Sequence, residues 1–252
     1  MFKPIYEPKT RAREYSDLAI NIYTGCNHGC SYCYSRKTFH RYSPTGSFEN
    51  VTVRPGIVEA TQKQLSRGKY RDKKIMLCFM CDPYPAEVDT TPTREIIKLI
   101  KAAGAHVQIL TKGGDRARRD FDLLDSGDSF GITLSCLSVV VAVKCEPNAA
   151  LPAERIKTLG SAAKLGIKTW VSFEPVVSPI EVLDAIDFLP IHINNPDTLL
   201  KIGKLNHVTN STDWNWFGSE AERICKANGW NYYIKSDLRK CMSPEVTNAT
   251  TI

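Results

Sequence analysis

Short apolar runs alternate along the chain with segments whose apolar residues recur at helical spacing. The runs are rich in β-branched residues and continuous in hydrophobicity, as expected of strands buried on both faces of a parallel sheet. They are LAINIY (18–23), KIMLCFM (74–80), HVQILT (106–111), FGITLSC (130–136), KTWVSF (168–173), TLLKIG (198–203) and NYYIKS (231–236). The helical segments between them are 56–68, 91–104, 116–127, 151–166, 178–189 and 216–229.

The repeated unit of strand and helix predicts an α/β fold. We expect a partial (β/α)6 TIM-like barrel with an added C-terminal strand. An open doubly wound sheet remains the alternative, because the pattern alone does not show whether the sheet curls. The connections are too short to hide a second domain. We therefore expect one domain over 1–252, with a core at about 18–205 and a C-terminal helix, strand and tail over 206–252.

The composition is that of a soluble globular protein, with 42% hydrophobic and 24% charged residues. No stretch approaches the ~20 apolar residues that a membrane span needs, and the first residues contain no apolar run typical of a signal peptide. The nine cysteines are an odd number, which argues against a disulfide framework. We expect a cytoplasmic protein with reduced thiols and no membrane association.

Positive charge is concentrated in two places. Residues 1–43 hold seven Lys/Arg and three Asp/Glu, which accounts for +4 of the net +6. A second basic cluster is KGGDRARR, residues 112–119. A polyanionic partner such as nucleic acid and an ordinary solvated surface both fit this distribution.

Three cysteines lie within eight residues in the segment CNHGCSYC, which directly follows the first predicted strand. Cys26, Cys30 and Cys33 should therefore lie at the C-terminal mouth of the barrel, where such folds keep their chemistry. Iron–sulfur clusters are held by thiolates at comparable spacings, and three ligands would leave one iron open. Structural zinc would need a fourth ligand such as His28. Three reduced thiols without a metal are the remaining interpretation.

This segment resembles the cluster-binding motif of radical S-adenosylmethionine (SAM) enzymes, C-x3-C-x2-C with an aromatic residue before the third cysteine. The wider pattern is similar to the small branch related to spore photoproduct lyase. The similarity covers most of residues 18–205 and leaves the last ~45 residues unmatched. It rests on NIYTGC before the motif, CDPYPAE after strand two, LTKGG after strand three, TLS in strand four and SFEP after strand five.

The resemblance implies a cofactor set and a reaction. Cys26, Cys30 and Cys33 would ligate a [4Fe–4S] cluster whose fourth iron binds SAM. Tyr32 would pack near the adenine, unless it only fills the core. One electron would cleave SAM to a 5′-deoxyadenosyl radical that abstracts hydrogen from a substrate. The cofactors carry this chemistry and the protein positions them. A reductant protein such as flavodoxin or ferredoxin is the implied partner.

The strand ends supply the other residues that the resemblance assigns to SAM. Asp82 is expected near the methionine amino group, although CDPYPAE replaces the family's usual Gly-Gly-Glu segment. Lys112 would pair with the methionine carboxylate, unless it is a solvated lysine of the rim. Ser135 would bond the carboxylate or ribose, unless it is satisfied by the backbone. Glu174 must be paired if it is buried, with cofactor polar groups or Lys112 as expected partners.

Among the six other cysteines, Cys81 lies at the mouth of the barrel. It could return a hydrogen atom to a substrate radical, as the resemblance to spore photoproduct lyase suggests, or it could be an inert buried thiol. A second cluster held by Cys78, Cys81, Cys136 and Cys145 is disfavoured. Cys78 and Cys81 are three apart on a predicted strand and should point to opposite faces.

The substrate is the least constrained part of the prediction. Aromatic and basic residues of the tail could stack nucleic-acid bases, or could seal the last helix onto the barrel. The resemblance and the basic N-terminal segment favour a nucleic-acid base or modified nucleoside. A different class of function also remains, a non-catalytic zinc module with a nucleic-acid-binding surface. The tail residues are Trp214, Trp216, Trp230, Tyr232, Tyr233, Lys235, Arg239 and Lys240.

Overall fold

An eight-stranded sheet that is open along one side forms the centre of the molecule. The computed structural model describes residues 2–243. Its strands are β1 (Ile5–Tyr6), β2 (Ala19–Ile20), β3 (Tyr23–Thr24), β4 (Thr52–Val53), β5 (Lys74–Leu77), β6 (His106–Thr111), β7 (Ser129–Thr133), β8 (Lys168–Phe173), β9 (Leu199–Ile202) and β10 (Tyr232–Ile234). The sheet order is β1-β2-β5-β6-β7-β8-β9-β10, and β3 pairs with β4.

The seven predicted strands are confirmed, and they pair in parallel from β2 to β10. The partial TIM-like barrel is confirmed with them, with β10 as the added C-terminal strand. β1 joins β2 as an antiparallel edge strand, which the sequence did not predict. Several predicted runs are shortened, among them the fourth, which ends at Thr133 rather than at Cys136. The first is interrupted at Asn21, whose side chain bonds elsewhere, and the second ends at Leu77, because Cys78 adopts a positive φ of 63°.

Helices follow most of the parallel strands. Five of the six predicted helices form, whereas residues 116–127 were predicted wrongly as an α-helix, because a 3-10 helix covers Gly114–Leu123. Three short helices were not predicted, since α1, α4 and α8 have 9, 7 and 4 residues and give little periodicity. The helices are α1 (Tyr34–Tyr42), α2 (Ile57–Leu65), α3 (Thr91–Ala102), α4 (Val139–Cys145), α5 (Pro152–Lys164), α6 (Pro179–His192), α7 (Trp214–Asn228) and α8 (Ser236–Arg239). Within residues 2–243, every helix is too short or too polar to span a bilayer.

The two faces of the sheet hold separate apolar clusters. On β5, Ile75 and Leu77 belong to the main core, which also takes in buried residues of the helices. Met76 points the other way and packs with Trp170 in a small cluster inside the barrel, as the period of two along a strand requires. Gly131 makes room for the indole, because a Cβ there would lie 2.3 Å from Trp170 Cε2.

The N-terminal segment joins the two edges of the open sheet. After β1, the chain forms a 3-10 helix over Thr10–Glu14 and reaches the far edge. There Glu14 Oε1 accepts hydrogen bonds from the Tyr233 hydroxyl at 2.9 Å and the Ser236 backbone N–H at 2.8 Å. The Lys201 ammonium donates to the Glu14 carbonyl oxygen at 2.7 Å. This segment therefore covers the side that the strands leave open.

Candidate functional site

A cavity of about 380 Å³ lies at the C-terminal ends of the parallel strands, the end at which α/β barrels carry their active sites. Its size is within the range of small-molecule sites. Most of the residues predicted for the site line it, as do residues of the N-terminal segment and of the loop after β9. The predicted residues in its wall are Cys26, Cys30, Tyr32, Cys33, Cys81, Asp82, Lys112 and Glu174.

The loop that carries the three cysteines is held by its backbone. The Cys26 N–H donates to the Phe48 carbonyl oxygen at 2.8 Å. Gly25 allows this approach, since its φ is +86° and a Cβ there would lie 2.5 Å from the same oxygen. At the other end of the loop, Cys33 caps α1, with its sulfur accepting from the Arg36 N–H at 3.4 Å.

The outer side of the same loop rests on the segment after α4. The Ser31 N–H donates to the Cys145 carbonyl oxygen at 2.9 Å, and the Asn148 N–H donates to the His28 carbonyl oxygen at 3.1 Å. These bonds fix the loop against the barrel, and its three cysteines line the cavity.

Burial keeps two of the three motif thiols protonated. Burial raises the pKa of Cys26 to about 12 and also raises that of Cys30. Without a metal these thiols keep their protons, and metal binding releases them.

His28, the fourth zinc ligand considered from the sequence, is engaged elsewhere. Its side chain is buried, and its Nε2 lies 3.0 Å from Arg116 Nη2. Its Nδ1 faces the Asp82 carboxylate at 3.6 Å. Both ring nitrogens therefore have neighbours other than the motif thiols.

A buried carboxylate, Glu146, lies behind the cysteine loop. It accepts hydrogen bonds from the Tyr32 hydroxyl, from the Ser135 hydroxyl at 2.8 Å and from the Arg155 guanidinium at 2.5 Å. Burial opposes its charge, but Lys112 and Arg155 outweigh burial and hold the pKa of Glu146 below its ordinary value. Sequence reasoning missed this residue, because a glutamate in a loop gives no signal when its partners are distant in the chain.

Tyr32, Lys112 and Ser135 meet around this carboxylate. The Lys112 ammonium lies 5.6 Å from the centroid of the Tyr32 ring, and burial lowers the pKa of Lys112 less than Cys30 and Glu146 raise it. Ser135 is fully buried and does not line the cavity. Its hydroxyl bonds the Glu146 carboxylate and not a backbone group, unlike the backbone-bonded serine of the alternative interpretation.

Asp82 joins the ends of β5 and β6. Its carboxylate accepts from the Thr111 hydroxyl at 2.6 Å, from the Tyr84 N–H at 2.8 Å and from the Lys112 N–H at 2.9 Å. These bonds fix the backbone of Lys112 at the edge of the cavity. Asp82 is thus a positioning residue for the loop that carries the lysine.

Glu174 is paired, but not with Lys112 as expected. Its carboxylate accepts hydrogen bonds from the Lys235 ammonium and from the Tyr15 hydroxyl, the latter at 2.6 Å. Asn206 Nδ2 adds a third at 3.2 Å. Lys112, one of the two partners considered for Glu174, lies near Glu146 and the Tyr32 ring instead.

Cys78 and Cys81 do not point to opposite faces, and that expectation is also wrong. β5 ends at Leu77, and the positive φ of Cys78 turns the chain. Both thiols line the cavity, whereas Cys136 and Cys145 do not. A four-cysteine second cluster therefore remains disfavoured.

The aromatic residues of the C-terminal segment mostly serve packing. Trp214, Trp230 and Tyr232 pack against the main core, and none of the five tail aromatics lines the cavity. Lys235 is the residue of that segment that reaches the site. The tail predicted beyond residue 243 lies outside the described residues.

A family model described as "Protein of unknown function (DUF5131)" matches residues 10–238. The chain belongs to this family.

Three curated relatives are uncharacterized proteins. MJ0683 of Methanocaldococcus jannaschii is 31% identical over 180 residues, which are 69% of this chain and 65% of that protein. ORF301 of Acidianus two-tailed virus is 27% identical over 188 residues, 69% of this chain and 61% of that protein. Rv2578c of Mycobacterium tuberculosis is 28% identical over 168 residues, 63% of this chain and 49% of that protein. The chain thus spans about half to two thirds of their lengths.

Solved structures share the fold at low sequence identity. Spore photoproduct lyase complexed with dinucleoside spore photoproduct is 14% identical, with a TM-score of 0.69 over 91% of this chain and 79% of that one. Streptococcus suis SuiB bound to S-adenosylmethionine is 11% identical, with a TM-score of 0.64 over 86% of this chain and 50% of that one. The resemblance to the branch related to spore photoproduct lyase is therefore confirmed in the fold.

Proposed function

We propose that this protein is a radical SAM enzyme whose single domain binds a [4Fe–4S] cluster and SAM. The observation that carries the proposal is the arrangement of Cys26, Cys30 and Cys33. They line a cavity at the C-terminal ends of the strands and stand at a C-x3-C-x2-C spacing, comparable to that at which thiolates hold iron–sulfur clusters. The shared fold with SAM-bound SuiB supports the choice of cofactor.

The protein's own residues would hold and orient this cofactor pair. When bound, the cluster and SAM supply a 5′-deoxyadenosyl radical that takes a hydrogen atom from the substrate. The three thiolates hold iron, and Lys112 places a positive charge in the cavity wall for the SAM carboxylate. Tyr32 is held by Glu146 and presents its ring beside that lysine. Glu174 also lines the cavity, fixed by Lys235 and Tyr15.

A nucleic-acid base or modified nucleoside is the substrate that we propose. Spore photoproduct lyase has been solved with a dinucleoside, and SuiB with a precursor peptide. The wall of this cavity combines an apolar floor, including Met76 and Phe79, with cationic groups at Arg11, Lys204 and Lys235. Such a wall suits a flat base attached to a polar or anionic group.

The proposed chemistry needs an electron at the cluster before SAM can be cleaved. A reductant protein such as flavodoxin or ferredoxin is therefore the partner that we propose. The nine cysteines are all free in the structure, which suits a reducing compartment such as the cytoplasm. The alternative of a zinc module loses support, because both ring nitrogens of His28, the fourth ligand considered, have other neighbours.

The proposal is tested by anaerobic reconstitution with iron and sulfide, followed by addition of dithionite and SAM. We expect a brown protein whose visible absorbance bleaches on reduction and which releases 5′-deoxyadenosine, measured by mass spectrometry. Cys26→Ala, Cys30→Ala and Cys33→Ala should each lose both properties, since the motif has no spare thiol. Full iron content and deoxyadenosine release in any of these variants would count against the assignment.

A further inference from the structure

The turn after β5 brings two cysteines together at the cavity. Cys78 has a φ of +63°, a conformation that non-glycine residues rarely adopt. The following backbone is pinned by Asn21, whose Oδ1 accepts from the Phe79 N–H at 2.8 Å and from the Met80 N–H at 3.0 Å. The turn thus directs Cys78 and Cys81 towards the same space.

The two thiols differ in access but face each other. Cys78 is buried, with 5% of its surface exposed, and Cys81 is partly exposed. Cys81 lies close enough to Cys78 to raise its pKa, and both line the cavity beside the cysteine loop. An accessible thiol next to a buried one is the arrangement of an attacking and a resolving thiol in disulfide exchange.

We propose that Cys78 and Cys81 form a redox-active dithiol that exchanges with a small-molecule disulfide of the glutathione class. The Cys81 thiolate attacks one sulfur of glutathione disulfide, forming a mixed disulfide and releasing one glutathione. Cys78 then attacks the Cys81 sulfur, which closes an intramolecular disulfide and releases the second glutathione. The dithiol loses two electrons and two protons, and one disulfide is reduced to two thiols.

The attack of Cys78 on the mixed disulfide at Cys81 is favoured because the two residues are neighbours. Burial raises the pKa of Cys78, so little of it is thiolate at neutral pH. Because Cys81 is its neighbour, however, the reaction is intramolecular and proceeds at a high effective concentration. Closing the disulfide removes the hydrogen from the Cys81 sulfur. The effect of this disulfide on activity rests on the proposed function. Under that proposal, the closed disulfide would withhold a hydrogen-atom donor from the substrate cavity.

The test treats the anaerobically reconstituted protein with glutathione disulfide and maps its cysteines by peptide mass spectrometry. We expect an intramolecular Cys78–Cys81 disulfide and no stable glutathione adduct at either residue. Cys78→Ala should convert the product into a stable glutathione adduct at Cys81. Cys81→Ser should leave Cys78 unmodified, because it is buried. Cys145→Ser serves as the control for a partly exposed thiol away from the cavity, and should form the Cys78–Cys81 disulfide as the wild type does.

Two results would overturn the proposal. One is a stable glutathione adduct at Cys81 in the wild-type protein, which would show that Cys78 cannot reach it. The other is a Cys81 that reacts only after iron has been removed, which would make it a metal ligand. Visible absorbance recorded on the same samples keeps the two proposals separate. A colourless protein that still closes the disulfide would contradict the cluster and support the dithiol.

Discussion

Lys112 has a reason to be charged within the cavity wall even before a ligand arrives, because the Glu146 carboxylate lies near it. If its ammonium also meets the SAM carboxylate, that charged hydrogen bond contributes about 1.5–3 kcal/mol. Lys112→Met keeps the aliphatic stem and should weaken SAM binding by roughly 10- to 150-fold, measured by anaerobic titration. Cluster content should stay normal. Lys144→Met, at an exposed lysine of α4, is the matched control. Equal SAM affinity in the two variants would make Lys112 an ordinary residue of the rim.

A substitution at Glu146 tests how much its buried ion pair with Arg155 contributes to stability. Glu146→Gln removes the charge that Arg155 bonds at 2.5 Å and leaves a buried guanidinium without its carboxylate. We expect the free energy of unfolding at neutral pH to fall by about 3–5 kcal/mol, measured by urea denaturation. Glu49→Gln, at a half-exposed glutamate paired with Arg36, should change it by less than about 1 kcal/mol.

The ionisation of Glu146 should also make the stability of the protein depend on pH. The pKa of Glu146 is lower in the folded protein than its unfolded value of about 4.3. Its contribution to stability is therefore complete above about pH 4.3 and is lost as the pH falls through the folded-state pKa. Glu146→Gln should lose less stability than the wild type between neutral and acidic pH. Parallel acid profiles would show that the network does not depend on this carboxylate.

The cysteine loop is the element on which the account depends most, and its shape rests on Gly25. Gly25→Ala would place a Cβ 2.5 Å from the Phe48 oxygen and break the bond that this oxygen accepts from Cys26. We expect iron content after reconstitution to fall by more than half. Gly56→Ala is a close control, because Gly56 also has a positive φ of 66° but nothing lies within 4 Å of its Cβ position. It should cost about 1–3 kcal/mol of stability from backbone strain and leave iron content unchanged.

The elements show which features can be predicted from the sequence. The seven strands and the position of the cysteine loop follow from hydrophobic period and from motif spacing, both of which are local in sequence. The bends at Asn21 and Cys78 cannot be predicted in this way, because each depends on a contact between segments almost 60 residues apart. That is why Cys78 and Cys81 were placed on opposite faces. The partners of Glu174 were missed for the same reason, because Lys235 lies 61 residues further along the chain.

At the scale of the whole molecule, the N-terminal segment completes a barrel that the strands leave open. Glu14 links this segment to Tyr233 and Ser236, and Lys235 stands 3.7 Å from its Oε2. Glu14→Ala should lower the free energy of unfolding by about 1–3 kcal/mol, because a buried lysine loses a neighbour and two donors lose their acceptor. Glu7→Ala, at an exposed position of the same segment, should stay within about 0.5 kcal/mol of the wild type. Similar effects from both variants would show that Glu14 does not join the edges.

The central claim is that Cys26, Cys30 and Cys33 hold an iron–sulfur cluster rather than a zinc ion. The most direct measurement is Mössbauer spectroscopy of the anaerobically reconstituted protein, together with iron, sulfide and zinc analysis of the same sample. We expect about four irons and four sulfides per chain in a [4Fe–4S] signature, with the signal of one iron changing when SAM is added. A colourless protein that binds one zinc ion per chain, and whose metal content does not respond to iron and sulfide, would contradict the account.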